Sequence, residues 1–232
     1  MTRSTKRQWL VPAGLVLLCA VPIAAGTFRL SQLAMGAPVT AENARFFTSP
    51  VPVVVHIISA TLFCILGAFQ FVPSLRRGGH GWHRVAGRLV LPFGLAAAVS
   101  GLWMAVFYDL PSADDVLLEA FRLIFGTAMV VSLILGMDAI RTRDFARHRA
   151  WMMRGYAIGV GAGTQLLTNL PWLVVFGKPE GLSQALLMGV AWVINLAVAE
   201  RYIRTRPDAG RPTTPTPTPP TRRPESRVQA VG

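Results

Sequence analysis

Four histidines, a scatter of arginines and two cysteines are the side chains in this chain that could coordinate, bind or react. Two of the histidines sit in echoing stretches. Leu75 to Arg88 contains His80, His83-Arg84 and Arg88, and Arg141 to Arg154 contains Asp144, His148-Arg149 and Arg154. Arg76 precedes His83 by seven residues and Arg141 precedes His148 by the same seven; a further arginine follows five residues after His83 and six after His148. Three chemistries suit that pattern. Two imidazoles at one depth could be the axial ligands of a b-type haem, with Arg88 and Arg154 placed against its propionates. His80, His83 and His148, joined by Asp144, could hold a divalent metal, although the surrounding positive charge opposes a cation. The third use is structural: each His caps its helix or bonds a neighbouring loop while the arginines reach lipid phosphates. Covalent c-type haem is excluded, because no C-x-x-C-H run occurs.

His56 stands apart, inside an apolar run. Burying an ionisable group in a membrane is costly, so a ligand or proton-handling role is one reading and a hydrogen-bonded packing role near the interface is the other. Gln70, Gln165 and Asn169 are further polar residues within apolar segments, and with His56 they could line a path for a solute. Cys19 and Cys64 also lie in apolar runs, where they read as small hydrophobes. No phosphate-cradling glycine loop, nucleophile elbow or zincin helix is present, so the chemistry of soluble enzymes has no foothold.

The elements that must position these residues are membrane spans. In 232 residues, 52% are hydrophobic and only 15% charged, which points away from a soluble core. A net charge of +12 would suggest nucleic acid on a soluble face, yet here the basic residues fall in short runs between apolar segments. That distribution excludes a nucleic-acid partner and fits anchoring against a bilayer with anionic lipids. Apolar segments at about 9–28, 51–72, 85–108, 116–140, 151–176 and 181–203 predict six transmembrane helices, each long enough for a core of roughly 30 Å. The first also fits a cleaved signal peptide, but it is long for one and carries Trp9 as an interfacial anchor, so a retained helix is expected. Ser31 to Pro50 reads as a loop, Asp109 to Asp115 as a short acidic loop, and 204–232, rich in Pro, Thr and Arg, as a disordered tail. Gly87, Gly94 and Gly101 recur by sevens and Gly155, Gly159 and Gly163 by fours, spacings that let helices approach closely.

Lys and Arg concentrate on one side: residues 1–8, the two His-Arg stretches and the tail. Both termini are therefore expected in the cytoplasm, with the His-Arg stretches facing it. Helices two and three then match helices four and five as an internal hairpin repeat, and packing helix three beside helix five would bring His83 and His148 face to face.

The residues His56, Gly67, Gln70, Leu75-Arg76, His83-Arg84, Gly87-Arg88, His148-Arg149-Ala150-Trp151-Met152 and Arg154 resemble those of an uncharacterised bacterial family of predicted membrane proteins. The likeness spans about Pro50 to Gly177. It implies an all-α, multi-pass protein of the bacterial cytoplasmic membrane and brings no activity. A weaker resemblance is to six-helix transmembrane b-type cytochromes of the ascorbate-dependent reductase type, which hold two haems between paired histidines on helices two to five. His83 and His148 match one such pair, and His56 could begin the other, but helix four has no histidine. The expectation is a membrane redox protein holding haem b or another ligand at the His-Arg side, with a redox or small-molecule partner. The alternative is a small-solute carrier or lipid-interacting protein in which the His-Arg pair is structural.

Overall fold

A computed structural model describes residues 8–72, 75, 80–108 and 116–205, excepting the side chains of His80, Trp82, His83 and Arg84. The expectations for the N-terminal basic residues, for Arg76 and Arg77, for the acidic loop and for the tail from residue 206 fall outside those residues. Within them every regular element is a helix: α1 (Leu10–Ala34), α2 (Ala44–Thr48), α3 (Pro50–Phe69), α4 (His80–Phe107), α5 (Val116–Arg141), α6 (Phe145–Gly159), α7 (Gly161–Phe176) and α8 (Gly181–Thr205). α1, α3, α4, α5 and α8 are each long and apolar enough to cross a membrane, and α6 with α7 supplies a sixth candidate if that bent pair is one span. Large apolar side chains such as Leu17, Ile124, Val174 and Val198 point outward, as lipid requires and water would oppose.

Two segments depart from the apolar pattern for local reasons. α1 runs on to Ala34, because the polar residues near its end bond along their own helix. Thr27 Oγ1 donates to the Ile23 carbonyl at 2.9 Å, Ser31 Oγ to the Phe28 carbonyl at 2.8 Å, and Arg29 to Gln32 Oε1 at 2.7 Å. The expected loop from Ser31 to Pro50 therefore opens with helix and also contains α2. The expected fifth helix begins early, at Phe145, since the Asp144 carboxylate caps it by accepting the Arg147 N–H at 2.9 Å. Most of Arg141 to Arg154 is thus helical, and only Thr142, Arg143 and Asp144 make the turn. α4 and α6 each begin three residues ahead of their His-Arg pairs.

Close glycine contacts give the register. His56 of α3 lies against Gly101 of α4, and Phe63 against Gly94, so these two helices run antiparallel. α4 then meets α5 through Leu102 at Gly126 and Leu133 at Gly94, and α5 meets α6 through Leu133 at Gly155 and Met152 at Gly136. α1 crosses α3 with Gly26 beside Ile57 and the Trp9 and Phe69 rings 6.3 Å apart. Gly94 and Gly101 thus serve the predicted close approach, whereas an added Cβ at Gly87 would meet nothing within 4 Å. The glycine row by fours is used by three different neighbours: Leu133 at Gly155, Phe63 at Gly159, and the Leu18 backbone of α1 at Gly163. α4 is held between α3 and α5, and it meets α6 only along a short stretch.

Phe63 is the centre of the core, 1% exposed, with Cys19, Cys64, Met129, Leu133 and Tyr156 around it. Cys19 and Cys64 are free thiols buried in this core, and Cys64 Sγ donates weakly to the Gly159 carbonyl at 3.9 Å.

Candidate functional site

A cavity of about 990 Å³ occupies one end of the bundle, the end reached by the C-terminal half of α1 and the N-terminal halves of α3, α5 and α8. That size is at the upper end of the usual range for small-molecule sites. Its deep wall is apolar, formed by residues such as Ile57, Phe63, Ala98, Met129 and Trp192, the last stacked on Phe125 at 4.8 Å. His56, Thr61, Gln165 and Gln184 are the uncharged polar residues among its lining, beside Tyr108 at the rim. Glu42, Lys178 and Glu180 line the cavity and are exposed, so it opens there.

The rim is built by α2 and its approach. Asn43 ties the preceding turn, accepting the Thr40 N–H at 2.7 Å and donating to the Pro38 carbonyl at 3.0 Å. The Phe46 ring then lies under two guanidinium groups, Arg29 at 4.6 Å and Arg45 at 4.9 Å, and edge-on to Tyr108 at 5.6 Å. Tyr108 donates to the Ser49 carbonyl at 2.6 Å, which fixes α2 to the end of α4. Among the described residues, Arg45, Arg122 and Lys178 are the cations lining the cavity, with Glu42 and Glu180 as the acids. Lys178 and Glu180 pair with each other at 3.8 Å.

His56 donates from Nδ1 to the Ala97 carbonyl at 2.9 Å, with Ser100 Oγ 3.3 Å from the same nitrogen. That bond makes Nε2 the acceptor of the ring. His56 is thus hydrogen-bonded packing through one nitrogen, and it also lines the cavity. Gln165 also lines the cavity, and its Nε2 is buried with no hydrogen-bond partner, as is that of Gln70. Of the other residues expected on a solute path, Asn169 donates to the Gln165 backbone carbonyl at 2.6 Å, and Gln70 lies at the far end of α3, outside the cavity.

Gln165 is held where it is by a break in the span. α6 and α7 meet at Val160 with a bend of 44°, and Gly159, Val160 and Gly163 around that break line the cavity. Gly159 and Gly161 explain the position: a Cβ at Gly161 would strike the Trp192 ring, and one at Gly159 the Phe63 ring. Asn195 of α8 bridges the break. Its Nδ2 donates to the Ala157 carbonyl at 3.0 Å, and its Oδ1 accepts from Thr164 Oγ1 at 2.8 Å, one bond on each side of Val160. Asn195→Leu is accordingly expected to lose about 1 kcal/mol, the scale of polar bonds between membrane helices. Unfolding of the purified protein in mixed micelles measures this, and wild-type stability would show that the break stands without its bridge.

The residues singled out by the His-Arg echo are dispersed at the opposite end of the bundle. His148 donates from Nδ1 to the Gly136 carbonyl of α5 at 2.7 Å, within the α5–α6 hairpin. Arg154 forms a two-point pair with Glu200 of α8, Nε to Oε1 and Nη2 to Oε2 at 3.2 Å, and its guanidinium also lies 4.5 Å over the Trp151 ring. Arg88 is exposed. The rings of His80 and His83 are outside the described side chains, Asp144 is engaged as a cap, and no group of three metal-binding side chains occurs among the described residues. Glu200 and Asn195 are the bonding partners that sequence reasoning did not single out. Glu200 is the one acidic residue within 181–203, a signal that it needs a cation nearby.

A family model described as a predicted membrane protein, DUF2306, matches residues 53–203. No curated protein and no solved structure matches the chain.

Proposed function

The chain belongs to the DUF2306 family of predicted membrane proteins, and on that footing we propose that it binds a small, largely apolar molecule inside its bundle, in the manner of a carrier. One observation carries this: the cavity of about 990 Å³ with a largely apolar depth, a few polar residues and a charged rim. A span broken beside that cavity supports it, because discontinuous helices are where membrane carriers build their sites. The protein is multi-pass; in this proposal it lies in the bacterial cytoplasmic membrane with six spans and both ends in the cytoplasm, so the cavity opens on the outer face. The matching starts of α4 and α6 ahead of His83 and His148 support an internal hairpin repeat, and the packing of Leu18 and Cys19 into the bundle supports retention of the first helix.

Haem b at the His-Arg side draws no support from the described residues. The His148 ring is turned to α5 by its bond to Gly136, α4 touches α6 little, and the Arg154 guanidinium is matched by Glu200 rather than offered to a propionate. No step is assigned to haem.

The proposal is tested with protein in phosphatidylcholine nanodiscs. Octanol is expected to raise its unfolding temperature by several degrees, as a ligand of the folded state must. Ala60→Phe, which fills part of the cavity from α3, is expected to abolish that rise while leaving the protein folded. Equal stabilisation of both proteins would locate octanol elsewhere, and no stabilisation by any eight-carbon amphiphile would end the proposal.

A further inference from the structure

His56 brings to the cavity a hydrogen-bond acceptor that no described residue uses. The Ala97 carbonyl can only accept, so the hydrogen of the 2.9 Å contact belongs to Nδ1. Ser100, 3.3 Å from the same nitrogen, spends its own hydrogen on the Ala96 carbonyl at 2.6 Å. An imidazolium would carry a second hydrogen at Nε2 and would want an acid beside it, yet the acids on the cavity, Glu42 and Glu180, are both at the exposed rim. The ring is therefore uncharged and Nε2 is bare. Nε2 meets no donor among the described residues, and unlike the amide nitrogens of Gln70 and Gln165 it is not sealed from every side. Its open surface is on the cavity that the ring lines. Gly101 beside it has no side chain: an added Cβ would stand 3.2 Å from Cε1, the carbon between the two nitrogens, so the glycine leaves that edge of the ring uncovered.

The surroundings of that acceptor restrict what can bind it. Leu102, next to Gly101, packs at Gly126 of α5, so Gly126 is near the level of His56 and Arg122 is one turn nearer the opening. Glu42, Arg45, Lys178 and Glu180 belong to the rim and to the turn between α7 and α8. Among the described residues the lining therefore has no charged side chain level with the ring or deeper. A carboxylate at Nε2 would be stripped of water opposite another acceptor, and an ammonium would be stripped of water without a counter-charge. A hydroxyl gives up far less hydration and donates. Inward from His56, Ala60 follows one turn along α3, with Phe63 and Cys64 a turn beyond, an apolar track on the cavity. We infer that the cavity takes an uncharged amphiphile whose hydroxyl donates to His56 Nε2 while its apolar body runs inward over Ala60 and Phe63. This rests on the cavity being a ligand site, and it adds the head group that is chosen. The hydroxyl belongs to a free lipophilic alcohol or to a neutral lipid such as a diacylglycerol, and the two share this chemistry.

Three probes with one eight-carbon tail separate the claims: octanol, fluorooctane and ionised octanoate, each added to the protein in phosphatidylcholine nanodiscs and compared at equal concentration in the bilayer. Fluorooctane has nearly the shape of octanol and no hydrogen to donate. Octanol is expected to bind about fivefold more tightly than fluorooctane, the value of one uncharged hydrogen bond. Octanoate is expected to be the weakest of the three. His56→Phe, which keeps a ring in place and removes both nitrogens, is expected to bring octanol to within about twofold of fluorooctane. A second measurement needs no variant: with nitrogen-labelled histidine, the NMR signal of the bare His56 Nε2 is expected to move when octanol binds and to move far less when fluorooctane does. Fluorooctane or octanoate binding as well as octanol, or an Nε2 signal indifferent to bound octanol, overturns the hydroxyl and leaves the cavity a ligand site. Failure of all three probes overturns both. Dioctanoylglycerol added to the nanodiscs identifies the source: competition with octanol assigns a lipid hydroxyl, and undiminished octanol binding assigns a free alcohol.

Discussion

Gly67→Ala is expected to destabilise the bundle by about 2–3 kcal/mol, a large effect for a single added methyl. The methyl would stand 2.6 Å from Cδ2 of Tyr156 and closer still to Cε2, so one of the two must move. Tyr156 has nowhere to go. Its ring centroid is 5.5 Å from that of Phe63 and 5.4 Å from that of Phe71, and its hydroxyl donates to the Cys64 carbonyl at 2.8 Å. The side chain is also 6% exposed, in the middle of the core. α3 and α6 would have to separate where the two halves of the bundle join. Tyr156→Phe is expected to cost far less, about 1 kcal/mol, because it removes the hydroxyl bond and keeps the ring. Pairing Gly67→Ala with Tyr156→Leu should recover part of the loss, since the shorter side chain vacates the space. Unfolding in mixed micelles reads all of these. If Gly67→Ala unfolds with wild type, α3 and α6 do not meet through that ring.

The same residue shows how much of the fold was legible beforehand. Apolar run lengths placed the spans, because a bilayer demands about twenty apolar residues from each helix wherever its neighbours lie. Glycine spacing announced close packing, and at Gly94, Gly101, Gly155, Gly159 and Gly163 close packing is found. Spacing could not name the partners. Gly67 was visible as part of a stripe turned to protein and as a feature of a family likeness, but its reason is an aromatic ring 89 residues away in sequence. The break at Val160 was hidden for a related cause: glycines that permit contact and glycines that permit a bend look alike, and what distinguishes them here is Trp192 and Asn195 on another helix. His56 was recognised as unusual from its own segment, yet the cavity it lines is enclosed by α1, α3, α4, α5, α6, α7 and α8 together with the rim. No stretch of chain carries a signal for a void.

The His-Arg echo was the opposite case, conspicuous in sequence and quiet in structure, and Arg154 is where its meaning can be measured. Arg154→Met is expected to cost about 2 kcal/mol. Removing one partner of a buried pair costs roughly 3–5 kcal/mol, and the side chains here are 26% and 31% exposed, which lowers that figure. Glu200→Gln is expected to cost about 1 kcal/mol, because the neutral amide still bonds the guanidinium. The double variant Arg154→Met with Glu200→Leu should be less damaging than the sum of its parts, with a coupling energy of about 1–2 kcal/mol. Arg204 approaches Glu200 at 3.8 Å but is 81% exposed, so it cannot replace Arg154 as the counter-charge. The size of the coupling decides what the second half of the echo is for. A guanidinium placed for a propionate or a lipid phosphate would lose that contact on substitution and leave Glu200 indifferent, giving additive effects. One that ties α6 to α8 must couple, and the second half of the echo is then a device for closing the bundle.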